Sequence, residues 1–161
     1  MRLAAVLTLC SVAWAQKHEN TGAPLRISAN CSSDWVQTAG LNCTAEMPCP
    51  IYLELSDFGL VGNRILLTGN LHTGSATLES ILLGSDDYGR TWTEAHARIS
   101  AGVLDSIQFY DFEIGWISGH LLQDRLSRDA FFLLTNDGGK TWRKRTLFGE
   151  SRIGAIEEFW F

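Results

Sequence analysis

The sequence predicts an all-β protein made of repeated sheets. They are β-propeller-type blades of four antiparallel strands, about two complete blades plus the first strand of a third. Three observations predict this. An eight-residue pattern, Ser/Thr-x-Asp-x-Gly-x-Thr-Trp, occurs twice, at Ser85–Trp92 and Thr135–Trp142, with Asp87 and Asp137 50 positions apart. Each copy follows an apolar run, Ile81-Leu82-Leu83 or Phe131-Phe132-Leu133-Leu134. Between these anchors lie short β-branched and aromatic segments bounded by Gly, Asn, Asp and Ser. A repeat of about 20–50 residues marks a solenoid or a propeller. Four short strands in about 50 residues is the arithmetic of a propeller blade. A helical repeat is the competing reading, and the β-branched and aromatic content argues against it.

The first element is a leader. Met1-Arg2 is a short positive start, Leu3 to Val12 is apolar, and Ala13-Trp14-Ala15 is a small-x-small cleavage signal. This is the pattern of a secretory signal peptide over residues 1–15, so an exported protein, periplasmic or extracellular, is expected. The alternative for this stretch is a buried N-terminal strand. The apolar run is shorter than the ~20 residues a membrane span needs, and no second long apolar run follows, so no transmembrane anchor is expected after cleavage.

Removing the leader leaves 12 basic and 18 acidic residues. A chain with this acidic excess is a poor partner for a phosphate backbone, so no nucleic acid is expected. Residues 16–50 read as an irregular, Cys-containing segment with a short strand near Leu25 to Ser28. Export permits disulfides. Cys31, Cys43 and Cys49 allow one bond in three ways with one thiol left over. The closeness of Cys43 and Cys49 makes a local staple plausible. Asn30-Cys31-Ser32 and Asn42-Cys43-Thr44 are formal glycosylation sequons.

Residues 51–161 carry the repeats, with blades over about 51–98 and 103–147 and the start of a third over 153–161. The first unit divides into strands at Ile51–Ser56, Arg64–Gly69, Ser80–Ser85 and Thr91–His96, with Phe58-Gly59 breaking the first. The second divides into Ser106–Phe112, Ile114–His120, Ala130–Thr135 and Thr141–Thr146. Leu67-Thr68-Gly69-Asn70 matches Ile117-Ser118-Gly119-His120 at the same offset. Ile153 to Phe161 resembles Val103 to Phe109. Closed propellers need about four to eight blades. The expectation is therefore a truncated propeller, or one completed by self-association or another chain.

The repeated pattern falls where a third strand turns into a fourth. Gly89 and Gly139 supply the positive φ that a tight turn needs. Asp87 and Asp137 fold back onto backbone N–H groups, and the Thr91 and Thr141 hydroxyls close the network. Trp92 and Trp142 begin the fourth strand and direct an indole into the core. The pattern is thus expected to be structural; the alternative makes Asp87 and Asp137 an acid/base pair, which their placement in equivalent turns disfavours.

Ser85, Asp87, Gly89, Thr91 and Trp92, matched by Thr135, Asp137, Gly139, Thr141 and Trp142, resemble the Asp-box, or BNR repeat, of sialidase-like β-propellers. Ile107-Gln108-Phe109-Tyr110-Asp111 followed by Gly115-Trp116 is similar to propellers of the photosystem II assembly-factor type and related exported bacterial proteins. The resemblance covers about Ile51 to Phe161. It implies the fold more than the function, because Asp-boxes occur in hydrolases, receptors and assembly factors alike. A sialidase would also carry an Arg-Ile-Pro motif, and Leu25-Arg26-Ile27-Ser28 lacks the Pro.

Other chemistry is sparse. Asp105, Asp111, Glu113, Glu157 and Glu158 are available as carboxylates, but spacing does not pair them as a glycosidase requires. His18, His72, His96 and His120 follow no metal-ligand spacing, so no metal and no cofactor is expected. Loops carry function more often than their scaffold. In an up-and-down blade the Asp-box turns share one face with the first-to-second strand turns, which leaves Leu71–Leu78, Leu121–Arg128 and Ser100–Asp105 on the other. The candidate binding residues there are His72, Asp105, Asp124, Arg125 and Arg128. The expected function is an exported, non-catalytic module that binds a protein or a glycan. The alternatives are a fragment of a sialidase-like or other propeller glycoside hydrolase, and a truncated product without independent function.

Overall fold

The computed structural model describes residues 17–19, 27–29, 40–41, 47, 49–122 and 128–146, with only the backbone of Lys17, His18 and Arg128. The leader and the proposed first strand of a third unit lie outside the described residues.

The described chain is all β. The strands are β1 (Lys17–Glu19), β2 (Tyr52–Val61), β3 (Arg64–His72), β4 (Thr77–Ser85), β5 (Thr91–Glu94), β6 (Ile99–Ser100), β7 (Gly102–Phe109), β8 (Gly115–Leu122), β9 (Arg128–Thr135) and β10 (Arg143–Thr146). They form two antiparallel sheets. The first runs β1-β5-β4-β3-β2, with the short β6 also on β4, and the second runs β10-β9-β8-β7. Four consecutive strands in each are thus joined in up-and-down order, as the repeat predicts.

The apolar run that precedes each turn becomes the third strand of its sheet. Ile81, Leu82 and Leu83 are buried in β4, and Phe131 and Leu133 in β9. β4 is apolar at consecutive positions because it is buried on both faces, whereas β9 buries Phe131 and Leu133 on one face and leaves Leu134 exposed on the other. One face of each sheet meets the other sheet. There Val61, Leu66 and Leu82 pack with Leu104, Ile107, Ile117, Phe131, Leu133 and Trp142. Covering side chains of this kind stabilises by ~1.5–3 kcal/mol each.

Several boundaries differ from expectation for identifiable reasons. Phe58-Gly59 does not end the first strand, because β2 continues through it to Val61 with a bulge between Leu55 and Asp57. Gly59 stays in the strand because the second sheet lies so close. An added Cβ would meet Ile107 at 3.2 Å and Phe109 at 3.3 Å. Asp105 is the bulged residue of β7, between Leu104 and Ser106, and does not lie in a loop. Trp142 precedes β10, although its indole is buried as expected. The N-terminal segment contributes β1 on the outer edge of β5, whereas Ile27–Ala29 forms no strand. Cys49 is disulfide-bonded; Cys31 and Cys43 lie outside the described residues.

The register shows how alike the sheets are. Leu55 opposes Gly69 and Phe58 opposes Leu67 in the first sheet. Leu104 opposes Gly119 and Ile107 opposes Ile117 in the second. Leu55, Phe58 and Leu60 therefore stand where Leu104, Ile107 and Phe109 stand. In the second sheet those positions face the first, with Leu104 and Ile107 buried and Phe109 half-buried against the shared core. In the first sheet they are 55%, 63% and 62% exposed.

Candidate binding surface

The strand ends form two opposite rims, and the repeated turns hold one of them. In the first turn, Ser85 Oγ donates to Asp87 Oδ1 at 2.9 Å and accepts from Gly89 N at 2.8 Å. Asp87 Oδ1 accepts from Thr91 N at 2.8 Å, and Oδ2 from Thr91 Oγ1 at 2.7 Å. Trp92 Nε1 donates to Gly89 O at 3.1 Å. The second turn repeats this bond for bond. Thr135 Oγ1 reaches Asp137 Oδ1 at 2.8 Å, Asp137 accepts from Thr141 N and Oγ1 at 2.9 and 2.6 Å, and Trp142 Nε1 reaches Gly139 O at 3.1 Å. Gly89 and Gly139 have φ of 82° and 78°. Asp87 is held down at about 2 chiefly by the Thr91 amide and hydroxyl. For Asp137, burial opposes ionisation, but the bonds from Thr141 and Thr135 outweigh it and also hold it at about 2.

Arg64 ties the two turns together. Its Nε and Nη2 bind Asp86 at 2.7 and 2.6 Å, and its Nη1 donates to Gly139 O at 2.7 Å. Gly138 N donates to Glu113 O at 2.9 Å, which fixes the β7–β8 turn on the same rim. Asp111 accepts from Ile114 N and Glu113 N, and these bonds lower its pKa.

The opposite rim carries the described candidates. His72 ends β3. Its Nδ1 lies 3.0 Å from Thr73 O, and its ring lies 5.8 Å from that of Tyr52. The loop that follows is closed by Thr73, whose Oγ1 accepts from Ser75 N and Ala76 N while its own N–H donates to Ala76 O. On the second sheet, Asp105 Oδ2 lies 3.0 Å from His120 Nδ1. Asp105 is half-buried and His120 buried. The structure thus joins His72 to Tyr52 and Asp105 to His120, each pair within its own sheet. Beside the first pair a cleft of about 340 Å³ is lined by Ile27, Ala29, Ile51, Leu53 and Leu71. Arg128 opens β9 opposite Leu122. Asp124 and Arg125 lie outside the described residues.

Two residues with structural consequence were not singled out from sequence. Asn70 clamps the second sheet to the first: its Nδ2 donates to Leu104 O at 3.1 Å, and its Oδ1 accepts from Leu104 N at 2.9 Å. Asp57 accepts from Ile107 N at 3.0 Å. Asn70 matches His120 in the repeat, and that match was the available signal for Asn70. Asp57 had no such signal, because the bulge that aims it is invisible in composition.

Glu79 and Glu94 are engaged by one arginine. Arg98 binds Glu94 at 2.9 Å, also binds Glu79, and donates to Ser28 O at 2.6 Å. Burial works against the Arg98 charge, but the two glutamates outweigh it and raise its pKa. Among the described residues no group of three or more His, Cys, Asp or Glu is placed to hold a metal ion, and no helix is long and apolar enough to cross a membrane. No protein family, curated protein or solved structure matches the chain.

Proposed function

We propose that this protein is an exported, non-catalytic Asp-box propeller module that binds a protein or glycan partner. The observation that carries the reading is the use of the two signature carboxylates. Asp87 and Asp137 each direct both oxygens into their own turn, toward the amide and hydroxyl of one threonine. A general acid or nucleophile needs an oxygen turned toward substrate. The propeller part of the reading draws its support from the shared strand order and from the apolar positions Leu55, Phe58 and Leu60. These have the chemistry of a face against which a further blade packs.

The rim of Tyr52, His72, Asp105 and His120 is the binding surface in this reading, since the other rim is taken up by the turns. The test is a binding screen of the purified protein against immobilised glycans and secreted proteins, run beside a panel of glycoside substrates. The expected result is a ligand whose retention falls on His72→Ala without a change in thermal unfolding, and no turnover. Turnover abolished by replacing a single acid would contradict the reading. A second reading of the partner is another copy of this chain, and the exposed β2 stripe favours it.

A further inference from the structure

A different surface has the more specific chemistry. β10 is the outer strand of the second sheet and pairs with β9 alone among the described strands. Its sequence is Arg143-Lys144-Arg145-Thr146, and all four residues are exposed. In a chain with 18 acidic and 13 basic residues, three consecutive cations run against composition. None of them has a carboxylate partner among the described residues.

Alternation sorts the three cations. Lys144 turns to the inner face, where its Nζ lies 4.7 Å from the centre of the Phe131 ring and burial lowers its pKa. Arg143 and Arg145 turn to the outer face. There they flank a cleft of about 300 Å³ that is lined also by Ile114, Trp116, Leu134 and Asn136. Leu134 and Ile114 are 39% and 45% exposed in it.

The first sheet shows what such an edge can take. Its equivalent fourth strand, β5, carries β1 antiparallel on its outer edge, with Lys17 opposite Thr93, His18 opposite Trp92 and Glu19 opposite Thr91. Among the described residues the corresponding edge of β10 carries no strand. β10 contains no Pro, so no outward N–H is missing from it.

We propose that the outer edge of β10 is a docking site for an extended acidic peptide segment of a partner protein. The peptide adds antiparallel as a fifth strand, as β1 does on β5. Its backbone pairs with β10, and carboxylates at alternate positions meet Arg143 and Arg145 on the outer face. Arginine suits this task because its planar fork binds a carboxylate in two places. An apolar side chain at a further position of the same alternating set shares the outer face with the acids and meets the cleft over Leu134. The inference deepens the binding reading above by choosing a protein partner and rests on it in that respect alone.

The experiment is fluorescence anisotropy of the purified protein with a labelled ten-residue peptide that alternates Glu and Val. Three controls are the same residues with the glutamates in one block, the alternating peptide with a central Pro, and an alternating Lys/Val peptide. The expected result is saturable binding that weakens with salt. It should fall about tenfold or more for the Arg143→Glu/Arg145→Glu variant and for every control peptide. Both positions are exposed, so thermal unfolding should not change.

Equal affinity for the Pro-containing peptide, or equal affinity of the variant, overturns the proposal. So does the absence of binding at about 1 mM peptide, the weak end of specific recognition. Charged edge residues also serve to keep sheet edges apart. If Arg143→Thr/Arg145→Thr self-associates and the unaltered protein ignores the peptide, that lesser role is the correct one. Saturation by an acidic polysaccharide, with no response to the peptide, would overturn this site's assignment and leave the binding module standing.

Discussion

At the level of single residues, the two Asp turns decide how the protein responds to acid. Asp87 and Asp137 have folded-state values of about 2 against an ordinary value of 3.8. A lowered carboxylate contributes stability that is fully present above its unfolded value and is lost as pH falls through the folded one. The window is therefore between pH 3.8 and about 2. Thermal unfolding followed by circular dichroism should show a melting temperature that declines on acidification across that window. Asp87→Asn/Asp137→Asn should melt lower at neutral pH and decline less steeply. Both carboxylates are half-buried at the rim, where solvent screens them in part, so the effect per residue is modest.

The glycines of the same turns separate by environment. Gly89 and Gly139 both have positive φ, which an added side chain strains. An added Cβ at Gly139 would also meet Leu66 Cδ1 at 2.6 Å, whereas at Gly89 its nearest neighbour is Trp92 at 3.5 Å. Gly139→Ala should therefore lower the melting temperature more than Gly89→Ala.

At the level of elements, the two copies of the repeat were legible and their unequal burial was not. The pattern gave both turns, the apolar third strands and the four-strand count, because tight turns and buried strands restrict residue type locally. It could not distinguish Trp92 from Trp142. Trp142 is 8% exposed in the core between the sheets, whereas Trp92 is half-buried. Trp142→Ala should cost ~3–5 kcal/mol in denaturant unfolding, and Trp92→Ala distinctly less.

The bulges in β2 and β7, the extension of β2 through Gly59 and the strand formed by Lys17–Glu19 were also beyond sequence reading. Each depends on what the chain meets far along its length. Of the candidate site, His72 and Asp105 were named, but Tyr52 and His120 emerged only when the strand register placed them beside those two. Asp105 was expected in a loop and lies in a strand, since Gly102 to Phe109 pairs with β8 from its first residue.

At the level of the whole molecule, two like sheets share one core, and the first keeps an apolar stripe on its far face. If Leu55, Phe58 and Leu60 serve as a seat for a further blade from another copy, the protein self-associates through them. Light scattering after gel filtration should then find a mass above the monomer. Phe58→Asp should return the protein to a monomer with an unchanged circular dichroism spectrum.

Side chains of the first sheet seat the second sheet on it. Asn70 and Asp57 reach across to the Leu104 and Ile107 amides, and Asn70 lies buried between the sheets. Asn70→Ala leaves the Leu104 amide and carbonyl without these partners, a loss worth ~1–3 kcal/mol. The decisive measurement is amide hydrogen exchange at Leu104 and Ile107 in the unaltered protein and in Asn70→Ala. The predicted result is slow exchange at both in the unaltered protein, and a selective increase at Leu104 in the variant while the β3–β4 amides stay protected. Fast exchange at Leu104 and Ile107 in the unaltered protein would contradict the stacked arrangement of the two sheets.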